Sequence, residues 1–429
     1  MQTRRDHVQA YQFAAGRLAS ALVSGEPGRG ESPTRRSALG TVFGVALVVL
    51  LCAGFGVYGL VSPIAKDDWR KDGVLVLDKD TGNRYIYARG VLRPTRNYAS
   101  ALLITGKRNA PQTPSAKSLA GVPHGAPVGI PGAPDSVPDA SSLATGSWAQ
   151  CLPSPGTTTG PSLLFGSAAS TLRPLTASRQ IMVSGPKGAQ YLIWRNVKYP
   201  VPDPTTRIAL GMDGQKTFSA RTEWLASVPT GAPLAVPPPP NAGKAASKVA
   251  GKASRVGQLF RTSTAGTERH YLLRAEGLVP VSPTAYALLA ARPGAAQPRQ
   301  VEQSDIAVAP VSTARATTDR IPDVLGVPAL DGKTACLEQL PNGRHKLTVG
   351  PPNSRRVVLP PGGGVLAVPH GTRTPYLITE QGMKYRLASD DAVQALGLGG
   401  TRNRLTLPAD VLNLIPDGPE LSRAAAARG

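Results

Sequence analysis

Cysteine is nearly absent, with three residues among 429. That scarcity excludes a disulfide-dense secreted scaffold and any thiolate cluster around a metal. Histidine is hardly commoner. His7, His124, His270, His345 and His370 are scattered without metal-ligand spacing, so neither a metal nor another cofactor is expected. Aromatic residues make up 5% of the chain and no stretch interleaves them with basic residues as an RNA-binding motif does. Acidic side chains are outnumbered, 27 against 48 lysines and arginines, for a formal net charge of +21. The cations are dispersed rather than gathered on one helix, which argues against nucleic acid as a partner and fits an anionic membrane surface or wall polymer. Forty-six glycines and 42 prolines predict short elements and long connections. Long apolar runs are missing too, with one exception.

That exception is Ala38 to Val61, 24 residues without a charged side chain. At about 1.5 Å of rise per residue a helix of this length crosses the ~30 Å hydrocarbon core of a bilayer. It is too long for the apolar part of a signal peptide, its leader spans residues 1–37, and Ser62-Pro63-Ile64-Ala65 is a weak cleavage signal, so the run reads as an uncleaved signal anchor. Arg29, Arg35 and Arg36 before it balance Lys66, Arg70 and Lys71 after it, so flanking charge does not orient the span. The short head, the long body and the remaining cysteines point to a cytoplasmic N-terminus and an extracytoplasmic body. Cys52 lies inside the span. Cys151 and Cys336, 185 residues apart and outside any CxxC, read as one long-range disulfide, two separate buried thiols being the alternative.

The body repeats itself. Unit 1 (73–108) has Val74 to Leu77, a turn, Tyr85 to Tyr87, a third strand at Gly90 to Pro94 and a helix from Tyr98. Unit 2 (171–220), unit 3 (255–292) and unit 4 (359–415) follow the same plan, with Ser282-Pro283 and Ser389-Asp390 as helix starts. Their tyrosines, Tyr85, Tyr191, Tyr271 and Tyr376, are spaced by 106, 80 and 105 residues, a palindrome that predicts two halves of two units each under approximate two-fold symmetry. The tyrosines read as packing residues. Stretches 109–170 and 300–358, which hold the two cysteines, are expected to meet in a central domain. Residues 236–251, a proline run followed by Ala, Gly and Lys, predict a hinge between halves, and residues 416–429 a flexible tail. The fold class is α+β: a cytoplasmic amphipathic helix, one transmembrane helix, and an elongated body of four β-rich units around a disulfide-linked centre.

The opening Arg4-Arg5-Asp6-His7-Val8-Gln9-Ala10-Tyr11-Gln12-Phe13, the span that follows, the repeated unit, Gly129-Ile130-Pro131-Gly132-Ala133-Pro134 and the two body cysteines together resemble the EccB family, the single-span subunit of type VII (ESX) secretion machines. The resemblance covers most of the chain. It implies a cytoplasmic head, a body beyond the membrane, and membership of an inner-membrane core with an FtsK/SpoIIIE-like motor ATPase, a ubiquitin-like-domain polytopic subunit and a second single-span subunit. Homo-oligomers within that complex are also implied.

Family members have been labelled ATPases, but no complete phosphate-binding motif exists here. Gly332-Lys333-Thr334 has the last three residues of G-x-x-x-x-G-K-[ST]; the first glycine belongs at Val327 and Gly326 is one place early. Lys333 is therefore the weak candidate for a nucleotide site. Ser184-Gly185-Pro186-Lys187 spells S-x-x-K, but Gly-Pro makes it a hairpin turn, and no G-x-S-x-G occurs. No catalytic residue is assigned. The better candidate is the head, where Val8, Tyr11, Ala15, Leu18 and Leu22 recur at helical spacing. A lone helix of that length needs a partner, either another subunit or the anionic leaflet, and subunit docking is the expectation because the stripe is narrow. The leading function is a structural core subunit of the secretion machine. A membrane-tethered ATPase or hydrolase, or a wall-polymer binder, are the alternatives.

Overall fold

A computed structural model describes residues 4–24, 34–61, 67–312 and 317–428; Arg29 and Ser62 to Lys66, invoked for orientation and cleavage, lie outside them. The chain divides into two units, Met1–Asp68 and Trp69–Gly429.

The first unit holds helices Arg4–Ser24 and Thr34–Val61. The second of these contains the apolar run and begins four residues before it. Within it, Gly40–Tyr58 is long and apolar enough to cross a membrane, and none of that stretch is buried in the protein. Among the described residues nothing covers this apolar surface, and a hydrocarbon core would do so without leaving any backbone group unpaired.

The second unit is a mixed α+β assembly of small sheets. In the first repeat, Val74–Leu77, Arg84–Ala88 and Val91–Pro94 pair antiparallel in sequence order, and helix Tyr98–Thr105 follows. The same order recurs as Ile181–Ser184, Gln190–Trp194, Val197–Val201 and helix Pro204–Ala209. It recurs again as Leu259–Thr264, Thr267–Arg274, Gly277–Val281 and helix Pro283–Ala290. The fourth copy is Gly364–Pro369, Tyr376–Thr379, Lys384–Arg386 and helix Asp390–Ala395. Each helix starts on a side-chain acceptor: Asn97, Asp203, Ser282 and Ser389 accept from the N–H of Ser100, Thr206, Ala285 and Ala392. These caps satisfy an N–H that the first helical turn leaves without a partner.

Each repeat is longer than the sequence pattern indicates. After the helix the chain returns parallel to the first strand, through Thr217–Ser219, Arg299–Gln300 and Arg404–Leu407, or at the single bridge of Gln112 to Val76. A second short helix follows, Ala116–Leu119, Thr222–Ala226, Gln303–Ala307 or Ala409–Leu412. The third strand is then bracketed. Leu92, Lys198, Leu278 and Lys384 donate to the carbonyls of Pro123, Pro229, Pro310 and Pro416 and accept from the N–H of Gly125, Gly231, Ser312 and Gly418, all at 2.7–2.9 Å. Residues 112–128 and 300–312, expected in the central domain, are thus parts of the first and third repeats, and the second and fourth extend past residues 220 and 415.

The central sheet has the order Val357–Val358, Ser162–Phe165, Trp148–Cys151, Thr334–Gln339, His345–Gly350, Arg173–Pro174. Leu152, Ala335, Leu337, Leu347 and Val349 join Ile181, Val183, Ile193 and Trp224 of the second repeat in one core. Trp148, Leu163 and Phe165 join Val365, Ile378, Leu407 and Val411 of the fourth repeat in another. The outer contacts use the first helices. Tyr98–Thr105 meets Asp390–Ala395, and Pro204–Ala209 meets Pro283–Ala290. The pairing is therefore nested, repeat 1 on 4 and repeat 2 on 3, rather than two halves of sequence neighbours. The short connection between repeats 2 and 3 lets them pack directly, while the central sheet sits between repeats 2 and 4.

Two further expectations are corrected. Residues 236–251 are not a hinge: Val236 is buried between repeats 2 and 3, and strands Ala245–Val249 and Lys252–Arg255 form a hairpin whose Val249 enters the core of the third repeat. The segment from Pro416 is not a loose tail. Leu421 and Ala426 are fully buried against the first and fourth repeats, and Arg423 of helix Arg423–Ala427 donates from Nε to the Leu103 carbonyl at 3.2 Å. Buried apolar contacts of this kind are what composition-based signals for linkers and tails cannot register.

Candidate functional site

The central sheet is where the two body cysteines meet. Cys151 and Cys336 are directly opposed across the antiparallel strands Trp148–Cys151 and Thr334–Gln339 and form a disulfide. Both are buried, on the face covered by Ala169 and Leu172. The bridge ties the strand that precedes repeats 2 and 3 to the strand that follows them, closing a long loop and restricting the unfolded chain.

On the other face, the second helices of repeats 2 and 4 lie against the sheet, and Trp224 donates from Nε1 to the Gln150 carbonyl at 3.3 Å. A cleft of about 340 Å³ is left there, lined by Trp148, Gln150, Glu223, His345 and Asp410 among others. The helices that flank it are held by lysines. Lys198 is 8% exposed, and its Nζ donates to the carbonyls of Leu225 and Val228 at 2.7 and 2.6 Å. Lys384 is 5% exposed; its Nζ donates to the Ile415 carbonyl at 2.6 Å and lies 3.2 Å from an Asp417 carboxylate oxygen. Each ammonium takes carbonyls left over at the end of a short helix, where a cation is also favoured by the peptide dipoles. Burial holds the Lys198 pKa below the usual lysine value and raises those of Tyr199 and Tyr385, the next residues along the same strands.

Sequence reasoning missed both lysines, although a signal was there. Pro123-His124-Gly125, Pro229-Thr230-Gly231 and Pro416-Asp417-Gly418 share a Pro-x-Gly return, degenerate in the third repeat as Pro310-Val311-Ser312. In repeats 2 and 4 the glycine is a contact requirement, because a Cβ on Gly231 or Gly418 would run into the ring of Tyr199 or Tyr385.

Lys333 sits in the turn that opens strand Thr334–Gln339. The Gly332 N–H donates to its neighbour Asp331, and buried Thr334 donates from Oγ1 to the Leu152 carbonyl at 2.6 Å. The chain thus enters a strand where a phosphate-binding loop enters a helix. Lys187 of the S-x-x-K run lies in the turn between two strands of repeat 2. On the head helix, Val8, Tyr11, Leu18 and Leu22 are 54–83% exposed, Ala15 is exposed, and Phe13 and Val23 add apolar surface outside the stripe.

The profile of the EccB family, described as type VII secretion system ESX-1, transport TM domain B, matches residues 1–429. The chain is similar to the ESX-5 secretion system ATPase EccB5 of Mycobacterium marinum, 28% identical over 98% of this chain and 92% of the relative. It is also similar to the ESX-1 secretion system ATPase EccB1 of Mycolicibacterium smegmatis, 27% identical over 99% and 94%. Among solved structures, a chain of an intact ESX-5 inner membrane complex matches with a TM-score of 0.53 at 25% identity, over 99% of this chain and 95% of that one. A chain of the periplasmic assembly from the ESX-5 inner membrane complex shares the fold, with a TM-score of 0.54 at 24% identity over 85% and 98%.

Proposed function

The chain belongs to the EccB family, and from that premise we propose that it is the single-span structural subunit of a type VII secretion inner-membrane complex. The head helix docks on a cytoplasmic partner subunit, one helix crosses the membrane, and the repeat body lies beyond it, oligomerising and presenting its surfaces there. The observation that carries the reading is the joining of one uncovered apolar helix, Gly40–Tyr58, to a body whose two chain halves are held by a buried disulfide, a bond suited to an oxidising compartment. The relatives' names attribute ATP hydrolysis to them. In this chain the Lys333 turn leads into a strand with Thr334 committed to a backbone carbonyl, which favours structure over phosphate binding at that locus.

Extraction of the tagged chain from native membranes in mild detergent tests the proposal. A megadalton species containing an FtsK-like motor ATPase is expected, and a lone monomer or dimer would overturn it. For the head, Tyr11→Asp combined with Leu18→Asp should release the chain from that species while leaving it in the membrane. Undiminished assembly would assign the stripe no docking role.

A further inference from the structure

In the packing series 1, 4, centre, 2, 3, the cleft over the central sheet has a floor with unused hydrogen-bonding groups. Trp148 and Gln150 line it and are only 5% and 8% exposed. Among the described residues neither the indole N–H nor the Gln150 amide has a hydrogen-bond partner, and neither is sealed from solvent. A polar side chain nine-tenths buried and unpaired is uncommon, because folding strips its water without replacing it. Both residues stand on strand Trp148–Cys151, on the face turned away from the disulfide. They are two residues apart, about 7 Å along the strand, which is also the interval at which an extended chain presents amides to one side.

The walls supply charge. Glu223 and Asp410 line the cleft from the second helices of repeats 2 and 4, each as the second residue of its helix. Lys117 holds that position in repeat 1 and Ser304 in repeat 3, the two repeats that do not flank the sheet. An acid in a first helical turn can serve as a cap, as Asp305 of repeat 3 does by accepting from the Glu302 N–H at 3.0 Å. The carboxylates of Glu223 and Asp410 cap nothing and have no partner among the described residues. No described lysine or arginine lines this cleft. Past Ser227, Leu337 and His345 it continues into a second hollow of about 380 Å³, lined by Asn196, Arg344 and Lys346 among others. The groove therefore runs from an acidic end to a basic one.

We propose that this groove holds an extended segment of polypeptide whose lysine or arginine side chain is set against Glu223 and Asp410. Charge complementarity selects the cation, on a chain whose net charge of +21 repels it elsewhere. Leu337, opposite Gln150 in the register, gives the side-chain stem an apolar floor. The spacing of Trp148 and Gln150 selects a peptide backbone over a bare polyamine, and the burial of Trp148 leaves no open ring face for a sugar. A volume of about 340 Å³ suits one anchoring side chain and the backbone around it.

The full chain in non-ionic detergent is titrated with a fluorescein-labelled hexapeptide of alternating lysine and alanine, followed by anisotropy. Saturable binding is expected. Glu223→Gln combined with Asp410→Asn should weaken it about tenfold or more and flatten its salt dependence. Gln150→Leu should weaken it about threefold to tenfold with the salt dependence kept. Glu223 and Asp410 are exposed, so the wall variant keeps the core intact and the test stands whatever Gln150→Leu does to the fold. No binding by the parent chain, or equal binding by the wall variant, overturns the proposal. So does equal affinity for spermidine, which would make the cleft a polyamine site. Tighter wall-dependent binding of a chitin oligosaccharide would overturn it too, in favour of a glycan.

Discussion

Repeats 2 and 4 carry a lysine on their third strand where repeats 1 and 3 carry a leucine, at the one position bracketed by the return segment in all four. Leu92 and Leu278 fill the cores of their own repeats. Lys198 and Lys384 instead reach the ends of the second helices, which in these two repeats are covered by the central sheet. Covering a helix end removes water from its last carbonyls: Val228 and Ile415 are 1% exposed, whereas the corresponding Val122 of the first repeat is half-buried. An unsatisfied carbonyl in that setting is costly, and a lysine with a long apolar stem can supply the missing donor. The same backbone unit thus serves two purposes, a core residue where the repeat ends the series and a clasp where the repeat is sandwiched.

The platform common to the clasped repeats is the first thing to break. Replacing Cys151 and Cys336 by serine should lower unfolding stability by about 2–5 kcal/mol in urea titrations of the detergent-solubilised chain. The return segment gives a sharper contrast. Gly231→Ala and Gly418→Ala force a Cβ into the ring of half-buried Tyr199 or buried Tyr385 and should each cost about 1–3 kcal/mol. Gly125→Ala meets only the side chains of Val91 and Arg93 and should cost less in the same titration. For the clasps themselves, Lys198→Met and Lys384→Met leave buried carbonyls without a donor, at about 1–3 kcal/mol each. Leu92→Met and Leu278→Met conserve volume and should stay below about 1.5 kcal/mol; equal losses at all four positions would erase the distinction.

The smallest effect is one of pH. Because burial lowers the Lys198 pKa, the unfolded chain holds that proton longer than the folded one, so its contribution makes stability rise as pH climbs through the lowered value towards 10.5. Raised tyrosine values at Tyr199, Tyr286 and Tyr385 act in the opposite sense near and above 10. The diagnostic is therefore the difference between the parent chain and Lys198→Met across pH 8 to 10.5, which should widen in favour of the parent as pH rises.

Much of each repeat was legible because it is local. Hairpin, third strand and helix each declare themselves by alternating apolar residues, a glycine turn and a cap such as Ser282 or Ser389. The return half was not, since strands of two to four residues such as Arg299–Gln300 and Thr217–Ser219 are too short to show a period, and the Pro-x-Gly mark emerges only when the four copies are aligned on their brackets. The hairpin in 245–255 was hidden by a composition that reads as linker. Its anchor is Val249, which enters the core of the third repeat.

By itself the sequence determined the span, the head stripe and the first half of each repeat, because apolar length and periodicity act within a few residues of where they are written. It also named the two cysteines, though only the opposition of two distant strands made them partners. Which repeats pack together, and that Lys198 and Lys384 are buried while the other described lysines are not, was decided by tertiary structure alone. Desolvation depends on what covers a group, and here the cover is a sheet assembled from strands more than 180 residues apart in the chain.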